Sequence, residues 1–214
     1  LSEAVPDDQD VVLEVINSHL ASGNPQAAIR RIEDSSRITA PGPVLMVRLV
    51  QAHLAVQLAR NVADRNWTEF DNALEAAKQA EEPARELVLA EAQSMLARDN
   101  QPAALATIRA AEESFADDAT FWQMATIAYL QMEEQEDVTR ALEKHKVDCQ
   151  SAVEEGRLGA LVHVRQQDFA AAEKLLSDLG NSANEHEKQE LRLLRAEVLR
   201  ASGDLAAAFK LMEK

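Results

Sequence analysis

The chain of 214 residues is poor in residues that staple, break or stiffen a fold. It has one cysteine, Cys149, so no internal disulfide can form. Glycine and proline number six each, too few for a collagen-like or low-complexity chain. Phe, Trp and Tyr together make eight residues, which leaves little for an aromatic-rich sheet core. No apolar run approaches the ~20 residues of a membrane span. The most apolar stretch, Val44 to Val62, is interrupted by Arg48, Gln51, His53, Gln57 and Arg60. No signal peptide is visible, and the chain starts at Leu1 without a methionine. What is abundant is alanine, 38 residues, the side chain that loses least on entering a helix. Acids outnumber bases 37 to 22, for a net charge of −15. Such a surface repels phosphate backbones and excludes a general nucleic-acid role.

One short pattern recurs along the chain. Gly23-Asn24-Pro25-Gln26-Ala27-Ala28 returns as Asp99-Asn100-Gln101-Pro102-Ala103-Ala104, as Gln167-Asp168-Phe169-Ala170-Ala171-Ala172 and as Gly203-Asp204-Leu205-Ala206-Ala207-Ala208. Weaker copies start at Arg65-Asn66-Trp67 and Glu133-Glu134-Gln135. The cap-like residues Asn24, Asn66, Asn100, Glu134, Asp168 and Asp204 are spaced by 42, 34, 34, 34 and 36 residues. Asn or Asp there can accept a free N–H of the first helical turn, and proline fits the position that follows. Four residues after each cap stand Ala28, Phe70, Ala104, Val138, Ala172 and Ala208; eight after it stand Ile32, Leu74, Ile108, Leu142, Leu176 and Met212. Positions four apart share a helix face, so a mostly small residue and then a large apolar one offer a close, interlocking contact. Five and four residues before the caps, His19, Asn61, Met95, Tyr129, His163 and Leu199, then Leu20, Val62, Leu96, Leu130, Val164 and Arg200, belong to a preceding helix. Each unit is a helical hairpin that buries its faces only in a stack.

These residues resemble the tetratricopeptide repeat family, whose unit is two helices in 34 residues. The fourth hairpin matches best, with Trp122, Tyr129 and Leu142; Phe70, Val138, Gly156 and Arg192 depart from the pattern. The resemblance implies an all-α solenoid of about six stacked antiparallel hairpins, wound as a right-handed superhelix. The hairpins are expected at roughly 8–37, 44–81, 83–115, 118–149, 151–179 and 183–214, within a single domain of residues 1–214. Residues 1–7, with Pro6, read as the remnant of a preceding repeat, and the chain as a slice of a longer array. Ser35 to Pro43 reads as a loop, followed by one helix from about Val44 to Asp64, roughly 30 Å long and overhanging its neighbours.

Sites for chemistry are sparse. His145 and Cys149 are four apart on a helix, but zinc needs three or four ligands and no second cysteine exists, so the pair reads as packing. His19 and His163 share a repeat column and read as packing residues. No local motif supports a Ser-His-Asp or Cys-His set, no glycine-rich phosphate loop occurs, and no cofactor is implied. Gly156 and Gly159 fall within a helical pattern and read as points of close helix contact. From Glu112 to Asp137 there are eight acids and no Lys or Arg, which reads as solvated helix ends or as a docking patch for a basic partner.

In the family, partners bind the concave face lined by the first helix of each hairpin. The register places Asp10, Leu13, Asn17, Ala55, Ala59, Glu86, Leu89, Gln93, Gln123, Ile127, Arg157, Leu161, Glu190, Leu193 and Glu197 there. The Lys/Asn/Arg clamp of chaperone-binding members is matched in type only by Asn17 and Arg157, far apart in sequence, so that specificity is rejected. The resemblance implies a non-enzymatic scaffold binding a peptide or helix of a protein partner, neutral or basic in charge, with no nucleic acid and no membrane insertion. A structural spacer or assembly segment of a large exported or envelope protein is the alternative, and an enzyme with a site between hairpins a distant third.

Overall fold

The computed structural model describes residues 9–36, 41–79, 84–149 and 151–212. Residues 1–7 and the centre of the expected 35–43 loop lie outside that set. Twelve α-helices, and no strand, occur among the described residues. By contacts the chain divides into two compact units, Leu1–Ala111 and Glu112–Lys214.

In the first unit, α1 (Gln9–Ala21) pairs with α2 (Pro25–Ser36), α3 (Pro43–Leu58) with α4 (Thr68–Lys78), and α5 (Arg85–Leu96) with α6 (Gln101–Ala111). In the second, α7 (Ala119–Gln131) pairs with α8 (Gln135–Asp148), α9 (Ala152–Arg165) with α10 (Phe169–Ser182), and α11 (Glu185–Ala201) with α12 (Leu205–Met212). The all-α helical repeat expected from the sequence is what forms.

Five of the six hairpins close through the same pair of hydrogen bonds. The residue before the cap takes a left-handed backbone: Gly23 (φ 68°), Asp99 (58°), Glu133 (62°), Gln167 (61°) and Gly203 (89°). The cap N–H then bonds back to the carbonyl five residues earlier, as Asn24 does to His19 at 2.8 Å and Asp168 to His163 at 2.8 Å. The left-handed residue bonds to the carbonyl three before it, Gly23 to Leu20 at 3.0 Å and Gln167 to Val164 at 3.0 Å. This is a Schellman closure, and it satisfies carbonyls that the end of a helix leaves free. The next helix starts at the same residue. Asn100, Asp168 and Asp204 accept the N–H of Ala103, Ala171 and Ala207 at 3.3, 3.0 and 3.0 Å. Glu134, whose side chain is longer, makes no cap bond.

The second hairpin is different, and the long helix expected there does not form. α3 stops at Leu58, giving about 24 Å at 1.5 Å per residue rather than the ~30 Å overhang. Ala59 and Ala63, the end of the expected apolar stripe, are exposed and have nothing to bury. A 3₁₀ turn over Val62–Asp64 follows. Buried Gln57 accepts the Asn66 N–H on its side-chain oxygen at 2.9 Å and so ties the connection down. Arg65 donates to the Ala97 carbonyl at 3.1 Å, anchoring it to the end of α5. Before this hairpin, at the end of the first one, Ser35 and Ser36 close α2 instead of opening a loop. Their hydroxyls donate to the Ile32 carbonyl at 2.8 and 2.7 Å, occupying an acceptor the helix end leaves free.

The small and large columns form the core. Ala28, Phe70, Ala104, Val138 and Ala172 are at most 1% exposed, and Ile32, Leu74, Ile108 and Leu176 at most 7%. Phe70 takes a small residue's place by packing with Val50, Leu54 and Leu87. Its ring meets Trp67 edge-on at 5.7 Å, and the Arg98 guanidinium covers Trp67 at 4.6 Å. In the second unit a Cβ on Gly156 would lie 2.8 Å from Leu191 Cδ2, and one on Gly159 would meet the Leu175 side chain. Both glycines therefore mark close helix approach, and at Gly156 Leu191 of α11 fills the room that Trp122 takes at the same repeat position one hairpin earlier.

Polar groups lock the fourth hairpin. Trp122 Nε1 donates to the Ala116 carbonyl at 2.8 Å, and His145 Nδ1 donates to Ala119 at 3.0 Å. Tyr129 donates its hydroxyl to Glu112 at 2.7 Å, and Arg140 bridges Glu112 and buried Asp137 at 2.6 and 2.5 Å. Burial, and then the Glu112 carboxylate, push the Tyr129 phenol well above its ordinary pKa.

Two predictions test these features. Gln167→Gly should raise stability by ~1 kcal/mol, because glycine reaches φ near 60° without the strain a side chain adds, while Gly203→Ala should lower it similarly. Thermal melts of the two variants read the signs. Tyr129 is the one tyrosine of the chain, so its ionisation can be followed by phenolate absorbance. A folded-state pKa above the unfolded value contributes stability fully below about pH 10 and loses it as pH rises. Phenolate should therefore appear only together with loss of helical circular dichroism; a normal titration in the folded protein would contradict the network.

Candidate docking face

The residues the register assigned to a binding face lie 14, 11 and 7 positions before each cap, on the first helix of the hairpins. In the first unit Asp10, Asn17 and Gln93 are exposed, and Leu13, Ala55 and Glu86 half-buried. Ala59 is exposed at the C-cap of α3, just past the last helical turn. Leu89 departs from the expected placement. It is 3% exposed, so this large aliphatic side chain belongs to the interior, where removal from water is favourable, and offers no surface to a partner. Glu86 is held by its neighbour Arg85, at 3.5 Å.

The second unit brings the expected residues together. α7, α9 and α11 form a cleft of about 410 Å³ lined by Gln123, Ile127, Arg157, Leu161 and Glu197. Ile127 and Leu161 are half-buried and form part of its apolar lining; Arg157 and Glu197 are exposed beside them. The cleft opens next to a second one, lined by Ile127, Leu161, Leu130 and Arg165. A third hollow joins Gln123 and Arg157 to Glu190, which His186 contacts at 3.2 Å. Leu193 is 46% exposed and lines a separate cleft, between α11 and α12.

Register reasoning missed Leu194, Arg165 and Arg200, which also line these clefts. They stand ten, three and four residues before their caps, outside the columns chosen. The two arginines change the electrostatics expected of this face. Arg165 and Arg200 stand with Arg157 along these clefts, against Glu197 and Glu133.

The acidic stretch is partly structural. Glu112 and Asp137 are bound by Arg140, and Asp118 accepts the Phe121 N–H at 3.0 Å as the N-cap of α7. Glu113, Asp117, Glu133 and Glu136 remain exposed. Cys149 donates to the Ser151 carbonyl at 3.3 Å, and burial raises its thiol pKa, so it is a poor nucleophile at neutral pH. Among the described residues no group of three or more His, Cys, Asp or Glu is placed to hold a metal ion, and no helix is long and apolar enough to cross a membrane.

No family model matches the sequence, and no curated protein does. The structure is similar to the crystal structure of a tetratricopeptide repeat protein from Parabacteroides merdae. The TM-score is 0.55 at 13% sequence identity, over 95% of this chain and 77% of that one. At this identity the likeness is one of fold: this chain is an all-α helical repeat with a fold similar to that protein's.

Proposed function

We propose that the chain is a non-enzymatic binding scaffold that takes an extended or helical segment of a protein partner on the face formed by α7, α9 and α11. The observation that carries this reading is the cleft in which half-buried Ile127 and Leu161 lie between Gln123, Arg157 and Glu197. Apolar anchors ringed by groups that can bond a partner backbone are the usual chemistry of segment recognition. Side chains supplied by three neighbouring helices can read several positions of one bound segment. The apolar pair would supply affinity and the polar ring orientation.

The partner is proposed to be neutral or basic. The whole-chain charge of −15 attracts cations at a distance, although arginines line the cleft itself. Long-range attraction acts mainly on the rate of encounter.

A displayed library of short random peptides, selected on the intact chain, tests the reading. Peptides carrying apolar anchors should be enriched, and Ile127→Glu with Leu161→Glu should weaken their binding at least tenfold while helical circular dichroism is unchanged. The association rate should fall as salt rises, because exposed charges are screened beyond ~8 Å at physiological ionic strength. Failure to enrich any peptide, or binding indifferent to the double substitution, would contradict the assigned face and favour a spacer role.

A further inference from the structure

Three clefts of the second unit share residues and so form one continuous face. Gln123 and Arg157 link the hollow at Glu190 to the central cleft, and Ile127 and Leu161 link that cleft to the one at Arg165. Along α9 the face is a single stripe of Glu154, Arg157, Leu161 and Arg165, whose steps of three and four residues keep to one side of a helix. From Glu154 to Arg165 it is about 17 Å long at 1.5 Å per residue. α11 packs on α9 and runs in the same direction. Ser151 and Asn184, the N-caps of the two helices, line the hollow at one end of the face. Arg165 and Arg200, in their last turns, line the clefts at the other.

Charge is divided along this face. Glu154, Glu187 and Glu190 stand at the end where the helices begin. Glu187 accepts the Asn184 N–H at 3.1 Å and Glu190 contacts His186 at 3.2 Å, but among the described residues no Lys or Arg pairs with any of the three. Arg165 and Arg200 stand at the other end, with Glu133. In the middle Arg157 and Glu197 offset one another, and Ile127, Leu161 and Leu194 supply apolar surface. Acids at helix starts and bases at helix ends suit the helix dipole. The arginines nevertheless lack partners: among the described residues the guanidiniums of Arg157, Arg165 and Arg200 make no ion pair or hydrogen bond. Elsewhere in the same unit Arg140 is held by Glu112 at 2.6 Å and Arg195 by Glu173 at 2.5 Å.

We propose that this face takes a segment of a partner protein whose own charge is divided: acids at one end over Arg165 and Arg200, bases at the other over Glu154, Glu187 and Glu190, and apolar side chains between. The proposal rests on the docking reading above and adds polarity to it. Charge complementarity names the occupant. The two ends are about 17 Å apart, beyond the ~8 Å over which exposed charges act at physiological salt, so each end recognises its own charge rather than the chain's net −15. A segment of one sign meets like charge at one end of the face. A segment of divided sign meets opposite charge at both, and its carboxylates give the unpaired arginines the partners they lack. Such a segment is near neutral as a whole, in keeping with the partner charge proposed above. Its two ends also fix which way round it lies.

Four peptides built on one apolar core selected on the intact chain, and differing only in their ends, test this by calorimetric titration. Their ends are acid then base, base then acid, acid at both, and base at both. The better of the two mixed peptides should bind roughly fivefold more tightly than either like-ended one, the order expected of exposed ion pairs. Arg165→Glu with Arg200→Glu should move the preference to the peptide with bases at both ends. Glu154→Lys with Glu190→Lys should move it to the one with acids at both ends. All four substitutions together should return it to a mixed peptide. Should a reversal lower helical circular dichroism, Arg165→Gln with Arg200→Gln, or Glu154→Gln with Glu190→Gln, takes its place and should abolish the preference at one end. A wild type that prefers a like-ended peptide, or a preference that the substitutions leave unmoved, would overturn the proposal. Equal binding of all four peptides, lost in Ile127→Glu with Leu161→Glu, would overturn it and leave the docking face standing. Failure to select any core would remove both.

Discussion

Two crossed hydrogen bonds at the hairpin turn set the geometry on which the rest of this structure depends. One runs from the cap N–H to the carbonyl five residues earlier, the other from the left-handed residue to the carbonyl three before it. The cap residue is at once the end of one helix and the start of the next. Because both helices are measured from it, a residue's offset from the cap decides which face it occupies. The small and large columns after the cap become core, and the columns 11 and 7 before it face a cleft in the second unit. Where this closure is missing, between α3 and α4, a buried glutamine side chain and an arginine do the tying instead.

The same arithmetic separates binding surface from packing surface. Within the second unit, α9 presents Leu161 and Arg157 to the cleft and uses Gly156 for close approach to Leu176 and Leu191. One helix can thus serve packing and recognition on different sides. On α12 Phe209 and Met212, and on α1 Val11 and Val15, are exposed.

Much of the fold was legible because the repeat is written in residue types with direct physical consequences. Asn and Asp cap, alanine admits a neighbour, and leucine and isoleucine interlock. Departures were legible as departures but not in their resolution. Nothing local reveals that Phe70 would find room against Val50 and Leu54, or that buried Gln57 would hold the connection beyond α3. The helix expected to run to Asp64 had a suitable stripe on paper, but its alanines gain little by burial and the chain turns back. On the candidate face, columns identified Gln123, Ile127, Arg157 and Leu161, which do share a cleft. They failed at Leu89, where burial outweighs periodicity, and they omitted Arg165 and Arg200, since long side chains reach a cleft from offsets that a column excludes.

Residue-resolved amide hydrogen exchange tests the turn closure most directly. Asn24, Asn100, Asp168 and Asp204 are exposed residues at hairpin tips, where an ordinary turn would exchange quickly. If the cap N–H is held by the preceding helix, these four amides should be protected to the same degree as the helix carbonyl partners' own neighbours, and the amides of Gly23 and Gln167 with them. Exchange of the four at the rate of exposed loop amides, while the helices remain protected, would contradict the account.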